Sequence, residues 1–457
     1  MPQFRDPIHG FIFMSEAELK IVNSAPFQRL RHIRQLATTY LVYHGAEHTR
    51  FGHSLGVMHL TSRVFDSVTS KTPNLFSDDS LENDLRTAWY RQILRLIALA
   101  HDLGHAPFSH AGEGLFPDGL EHEHYTRKII EETEIASYIT EIGAALHKEF
   151  LQDKRLEKYE FSSPKEQLEK FNIRPITPQL LWMIYEGKQE LDEAYILPDF
   201  KFLKSFMDSE LDCDKMDYLL RDSLYCGVTY GKYDLERFVS SLRAYKNKKE
   251  NSLSLAICSG GVQAFEEFVL ARYFMFIQVY FHKTRKHFDR LLVGGLKEIL
   301  PNGLFPETIG DYLLWDDTYV LQKMKSDAGE NAKKYLERKP MTCVYETPAH
   351  AGRNEKRLIQ SWKEGLEREF PHISFKIDDV GKSAHKLLPP VYAKDKDNEN
   401  EVKVIDKHTG NPESLMEQSL ILNGIKEDIY ICRLYADADS AEDVEKIKEW
   451  LYSRMKD

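Results

Sequence analysis

Apolar residues recur at three- and four-residue intervals over residues 53–68, 88–102 and 122–147, which predicts three amphipathic helices. Ser15 followed by Glu18 predicts a capping box opening a shorter helix through Val22. Residues 4–13 mix Pro, Gly and alternating apolar positions, the pattern of a short hairpin, and residues 26–36 form a basic amphipathic turn and helix. Helical spacing resumes at Pro178 and continues over 203–220, 234–242, 262–281 and 287–300, with 253–258 as a candidate strand. The charge-rich stretch 154–170, with Ser162-Ser163-Pro164, reads as a solvated surface insertion.

The pattern changes in the tail. Residues 341–345, 373–377 and 429–434 are short β-like runs separated by charged helical segments at 355–370 and 441–455. A polar stretch at 394–400 and the turn signal His408-Thr409-Gly410-Asn411 lie between them. The expected architecture is mainly α: a helical catalytic region over 1–320, its core at 50–222, followed by a smaller α+β module over 321–457.

Composition narrows the class. The 457 residues carry 61 Lys+Arg against 72 Asp+Glu, a formal charge of −11, which argues against broad nucleic-acid binding by phosphate neutralisation. Cys213, Cys226, Cys258, Cys343 and Cys432 form no CxxC pair, and no basic-then-apolar leader precedes Phe4, so a reducing, cytoplasmic compartment is expected. No apolar run reaches the roughly 18 residues of a membrane span. The densest, 93–100, is interrupted by Arg95.

Histidine placement points to chemistry. Nine of the 18 histidines fall between His44 and His124. His101-Asp102 ends an apolar helical run and is followed by Leu103-Gly104-His105-Ala106-Pro107-Phe108-Ser109-His110. An imidazole beside a carboxylate offers two ligands to one divalent ion. A lone His-Asp pair carries little information, but His53 opens an upstream helix and Asp214 lies downstream in Leu211-Asp212-Cys213-Asp214-Lys215.

These segments resemble the HD-domain metal phosphohydrolases, and more narrowly their deoxynucleoside triphosphate triphosphohydrolase branch. The likeness includes Arg5-Asp6-Pro7-Ile8-His9-Gly10, the stretch from Phe27 to Leu36, the stretch from Arg50 to Val57, the His101 to His110 string and the Asp214 segment. The resemblance implies that His53, His101, Asp102 and Asp214 ligate one divalent ion, Mn, Fe, Zn, Ni or Mg, with a further Mg accompanying substrate phosphates. It implies His110 and His122 as the phosphate-facing acid/base pair, Glu113 and Glu123 as their orienting carboxylates, and His105 as a neighbour of the metal or the phosphate. Arg50, Lys215 and Arg272 match phosphate-binding cations, Tyr218 a sugar-packing residue and Asp222 a sugar-edge contact. Gln35 and Leu36 match residues beside the 3′-hydroxyl and 2′-carbon, and Tyr280 closes that space against a ribose.

The resemblance also implies a homo-oligomer, dimer or tetramer, activated by a nucleotide. Gln28 and Arg31 match two residues of the activator site, while Asn23 stands where an aspartate reads guanine; an amide presents a poorer match to guanine's two donors. Leu270 likewise replaces a histidine of the animal enzyme. The expected substrate is a dNTP cleaved at the α-phosphate. The alternatives are a nucleotidase or nuclease using the same metal site, or a nucleotide-sensing scaffold without turnover.

Overall fold

Gly10, at φ 74°, helps turn the chain between β1 (Gln3–Asp6) and β2 (Gly10–Phe13), an antiparallel hairpin with Gln3 opposite Phe13. Asp6 closes the turn by accepting the N–H groups of Ile8 and His9 at 2.8 and 2.9 Å. The capping box forms as expected: the Ser15 hydroxyl accepts from Glu18 N–H at 3.1 Å, Glu18 Oε2 accepts from Ser15 N–H at 2.8 Å, and α1 runs Glu16–Asn23. The computed structural model describes the chain except residues 160, 162, 188–189, 193–194, 198, 248–251, 328, 384–401, 426–427, 439 and 456–457. The polar stretch 394–400 therefore lies outside the described residues.

The basic segment 26–36 departs from a continuous helix. It gives only α2 (Ala25–Arg29) and a 3-10 turn at Leu30–His32. The backbone then straightens, because Gln35 N–H and Arg50 N–H bond to His48 and Ile33 carbonyls across a bridge of Arg34 with Thr49. Next come α3 (Arg50–Ser70) and α4 (Ser80–Ala100), the latter capped by Asp79. The predicted helix over 122–147 is two, α5 (His122–Glu132) and α6 (Ile135–Phe150), broken where Thr133 adopts an extended conformation.

The expected insertion at 154–170 holds a 3-10 turn, Lys154–Lys158, and α7 (Pro164–Glu169), and its Leu156 and Leu168 are buried in the core. After α8 (Pro178–Glu186), the short β3 (Glu190–Asp192) and β4 (Tyr195–Ile196) and α9 (Phe200–Lys204), Asp212 accepts the Lys215 N–H and starts α10 (Cys213–Cys226). Then follow α11 (Leu235–Ser241), β5 (Leu242–Asn247), β6 (Ser252–Cys258) and α12 (Val262–Met275). A π turn, Phe276–Tyr280, separates α12 from α13 (Lys283–Ile299).

Three helices, α14 (Ile309–Tyr312), α15 (Asp317–Ser326) and α16 (Glu330–Leu336), complete the helical body. The tail contains β7 (Thr342–Glu346), α17 (Arg353–Glu369), β8 (Phe375–Lys382), β9 (Lys403–Ile405), β10 (Pro412–Ser414), α18 (Leu415–Gln418), α19 (Leu420–Gly424), β11 (Ile429–Ala436) and α20 (Ala441–Arg454). β11 is the centre of an antiparallel sheet ordered β7-β11-β8, whose core includes Trp362, Leu366, Ile447 and Leu451 from α17 and α20. β9 instead pairs parallel with β6, Ala256 opposite Lys403, and Val404, Leu415 and Leu422 pack into the main helical core. The fold is mainly helical with a smaller C-terminal region of mixed helices and sheets. All five cysteines are free.

Candidate active site

Three helices meet at one point. The first turn of α3 supplies His53, the end of α4 supplies His101 and Asp102, and the first turn of α10 supplies Asp214. Ligand atoms of His53, His101 and Asp214 lie within 4.8 Å of one another. His53 Nε2 is 2.9 Å from Asp214 Oδ1 and 3.6 Å from Asp102 Oδ2, and His101 Nε2 is 3.2 Å from Asp102 Oδ1. The other ring nitrogens are held from behind: His53 Nδ1 by Asp217 Oδ2 at 2.8 Å and His101 Nδ1 by the Ala98 carbonyl at 2.8 Å. His101 Nε2 is buried, and because its approach to Asp102 lacks hydrogen-bond geometry it has no hydrogen-bond partner among the described residues. Two imidazole lone pairs and two carboxylates aimed at one point fit a divalent ion.

The protonation pattern agrees. Burial disfavours charge on His53, but bonds to Asp214 and Asp217 outweigh it and raise its pKa to about 10, so a bound cation replaces a proton here. Burial acts against charge on Asp102 too, yet the Arg50 guanidinium, His101 and His105 hold its carboxyl well below the usual range. Arg50 Nη1 donates to Asp102 Oδ2 at 2.5 Å and Arg50 Nε to the Ser109 hydroxyl at 2.8 Å.

A second cluster adjoins the first. Glu113 lies 2.6 Å from His105 Nδ1, 2.9 Å from His110 Nδ1 and 3.2 Å from His122 Nδ1. Although burial opposes it, these rings hold the Glu113 carboxyl far below its ordinary value. His105 and His122 stack at 3.9 Å, and His105 Nε2 reaches Asp102 Oδ1 at 3.1 Å. Burial, Arg50 and His122 push His105 down to about 3, leaving it neutral; for His122 the bond to Glu113 overcomes burial and raises the pKa. His105 thus bridges the two clusters, while the His110 side chain is 67% exposed at the rim. Glu123 Oε2 stands 3.3 Å from His122 Nδ1.

Local backbone makes this contact possible. Gly104 donates to the Thr126 hydroxyl at 2.9 Å, and a Cβ there would meet His122 O at 2.1 Å and Thr126 N at 2.3 Å. Phe108 and Ser109 both occupy the left-handed region, at φ 58° and 53°.

A cavity of about 800 Å³ opens over both clusters. All eight expected substrate residues, Gln35, Leu36, Arg50, Lys215, Tyr218, Asp222, Arg272 and Tyr280, line it. Lys215 pairs with Asp212 and donates to the Ser209 carbonyl at 3.0 Å, and Arg272 pairs with Glu210 at 3.3 Å. Burial raises the Tyr218 hydroxyl to about 12. Tyr280 donates to Asp222 Oδ2 at 2.8 Å, while His48 Nε2 lies 2.8 Å from Asp222 Oδ1. Asn23, Gln28 and Arg31 do not line this cavity. Gln28 donates to the Val22 carbonyl and accepts from Arg31, whose guanidinium lies 3.5 Å from the Phe51 ring centre.

Sequence reasoning missed Asp217, which takes His53 Nδ1, His9 Nε2 at 2.6 Å and both arms of Arg221, itself paired with Asp6 at 2.9 Å. Its position three residues after Asp214, on one helix face, was the available signal. Trp182 and Tyr185 of α8 also line the cavity, and their apolar spacing looks like core packing. Among the described residues, no helix is long and apolar enough to cross a membrane.

Three helices thus converge a His/His-Asp/Asp set that could hold a divalent ion beneath a cation-lined cavity. Residues 50–171 match the HD domain and 233–450 the HD-associated region, so the chain belongs to the HD-domain phosphohydrolases. It is 33% identical over 291 residues to YwfO of Bacillus subtilis, covering 63% of this chain and 54% of that one. It is 28% identical over 260 residues to deoxynucleoside triphosphate triphosphohydrolase SAMHD1 of Danio rerio, covering 54% of this chain and 37% of that one. The chain thus spans about half or less of the length of these curated relatives. A hypothetical protein from Aquifex aeolicus superimposes with TM-score 0.70 at 30% identity, over 98% of this chain and 99% of that one. A Bacteroides thetaiotaomicron phosphohydrolase shares the fold at TM-score 0.65 and 22% identity, over 95% and 99%.

Proposed function

We propose that the chain hydrolyses dNTPs at the α-phosphate, releasing deoxynucleoside and triphosphate. The observation that carries this reading is one cavity joining the metal donors and the His105–Glu113–His122 cluster to a sugar edge built from Gln35, Leu36 and the Tyr280–Asp222 bond. The similarity to SAMHD1 supports it.

His53, His101, Asp102 and Asp214 would hold a divalent ion, which would supply Lewis acidity to a phosphate oxygen and lower the pKa of a water. Arg50 places a fixed positive charge beside the α-phosphate, and Lys215 and Arg272 neutralise the outer phosphates. Water adds to the α-phosphorus and gives up a proton to solvent as the bond to the 5′-oxygen breaks, and after turnover His122 regains its proton from solvent. His122, kept protonated by Glu113, gives that oxygen its proton, while His105 and His110 complete the phosphate wall. Tyr280, fixed by Asp222, packs where a ribose 2′-hydroxyl needs room.

Residues 1–320 are proposed as the catalytic region and 321–457 as an assembly or regulatory module, in a dimer or tetramer whose activator site includes Asn23, Gln28 and Arg31. The test incubates purified protein with Mn²⁺ or Mg²⁺ and each dNTP or NTP, singly and in pairs, or with a single-stranded oligonucleotide, and separates the products. Triphosphate plus deoxynucleoside is the expected result. Orthophosphate release or shortened oligonucleotides overturn it in favour of a nucleotidase or nuclease, and turnover only with paired dNTPs establishes an activator.

A further inference from the structure

A smaller cleft of about 370 Å³ adjoins the catalytic cavity, and His110, Arg285 and Lys286 line both. Arg285 and Lys286 lie in the first turn of α13, where the helix dipole adds positive potential. This end of the cavity sits next to the proposed sugar edge. Ala37, directly after Gln35 and Leu36, lines the cavity, and the Thr38 hydroxyl lies 2.6 Å from Asp289 Oδ1 and 3.3 Å from the Arg285 carbonyl.

The charges here do not balance. Arg285 pairs with Asp289 at 3.3 Å and Arg290 with Asp378 at 2.7 Å. Among the described residues the Lys286 ammonium has no hydrogen bond or ion pair, and Arg285 Nε is buried without a hydrogen-bond partner. Burial and the neighbouring Arg285 guanidinium pull the Lys286 ammonium below its ordinary pKa, despite Asp289. A structural lysine pairs with a carboxylate or reaches water. This one is half-buried between two cavities, where three cations, Arg285, Lys286 and Arg290, face two carboxylates, Asp289 and Asp378, leaving one positive charge to take an anion.

We propose that this cleft binds a second phosphate, carried on the 3′ side of the nucleotide whose α-phosphate lies at the metal donors. The placement of the sugar rests on the reading given under Proposed function; the cationic cleft does not. A 3′-oxygen beside Gln35 and Leu36 would lie next to the segment whose Thr38 bonds the Arg285 carbonyl and Asp289, at the Lys286 end of the cavity. The Gln35 amide offers both donors and an acceptor, so it suits a free 3′-hydroxyl or an esterified 3′-oxygen. The ligand is either a free nucleotide 3′-phosphate or the first internucleotide phosphate of a strand end.

The test titrates the Mn²⁺-loaded full chain calorimetrically with deoxyadenosine 5′-monophosphate, deoxyadenosine 3′,5′-bisphosphate and the 5′-phosphorylated dinucleotide of deoxyadenosine. The bisphosphate is expected to bind about tenfold or more tighter than the monophosphate, the range of a charge-assisted contact. Lys286→Gln, which breaks no pairing, is expected to abolish that preference while dATP turnover stays within about twofold. A dinucleotide tighter than the bisphosphate identifies a strand end as the source, and a weaker one identifies the free 3′-phosphate. Equal binding of mono- and bisphosphate overturns the proposal, as does a preference that survives Lys286→Gln. So does a Lys286→Gln effect that separates dGTP from dATP, since the cleft then reads the base. Loss of the preference in the variant, with no dNTP turnover by either protein, upholds the cleft and removes the triphosphohydrolase reading.

Discussion

Asp317 Oδ1 accepts the backbone N–H of Phe108 at 2.7 Å while its Oδ2 accepts that of Arg34 at 2.9 Å. A carboxylate from α15 thus ties the turn after His101-Asp102 to the segment leading to Gln35. Phe108 and Ser109 hold left-handed backbone that costs about 1 kcal/mol or more each, and this clamp sustains it. Asp317→Ala leaves the buried Phe108 N–H and the half-buried Arg34 N–H without acceptors and is expected to lower stability by about 1–3 kcal/mol, read by urea unfolding. Turnover should fall with it at temperatures where the variant remains folded, because the turn carries His105 and His110. Unchanged turnover would separate the turn from catalysis.

Gly104 sets the distance between the metal helix and α5. In Gly104→Ala the new methyl meets backbone of His122 and Thr126, which cannot yield locally. The variant is expected to lose about 1–3 kcal/mol and to displace His122 from its stack on His105, so kcat falls more than metal content. Metal analysis beside steady-state kinetics checks this.

The metal donors and their support predict graded losses. Asp102→Ala and Asp214→Ala should abolish both metal content and turnover with the fold intact. Asp217→Asn keeps the shape of the network but weakens its grip on His53 Nδ1, and metal affinity should fall about 10–100-fold. Competition against a chelator measures it, and wild-type affinity in Asp217→Asn would show that the Asp217 contact is dispensable.

Metal binding should depend on pH with a definite sign. With no ion present, His53 holds its proton up to about pH 10. An ion must displace that proton, so apparent affinity is expected to rise about tenfold per pH unit across pH 6–8. A flat profile over that range would mean that the ion enters without displacing it.

That His53, His101, Asp102 and Asp214 come together was legible because they lie in three short segments whose residue types have few other common uses together. Their support was harder to read. Asp217 sits one helical turn beyond Asp214, but His9 reaches it from a hairpin more than two hundred residues away, a contact no local pattern encodes. The single long helix expected over 122–147 fails at Thr133 because apolar spacing continues across a break in the backbone. The insertion at 154–170 misled for the opposite reason: its many charges surround Leu156 and Leu168, two buried leucines that anchor it. Tail strands β9 and β10 are three residues each, too short to carry a periodic signal.

The path of the tail has a further consequence. After α16 the chain leaves the helical body for β7 and β8, returns over 402–424 to add β9 to β6 and side chains to the main core, then departs again as β11. The two halves are laced rather than appended. Ending the chain before Lys403 strips β9 from the sheet whose β6 leads into α12, the helix bearing Arg272. A ligand or subunit that grips the tail therefore pulls on a thread already stitched to the cavity wall that Arg272 lines.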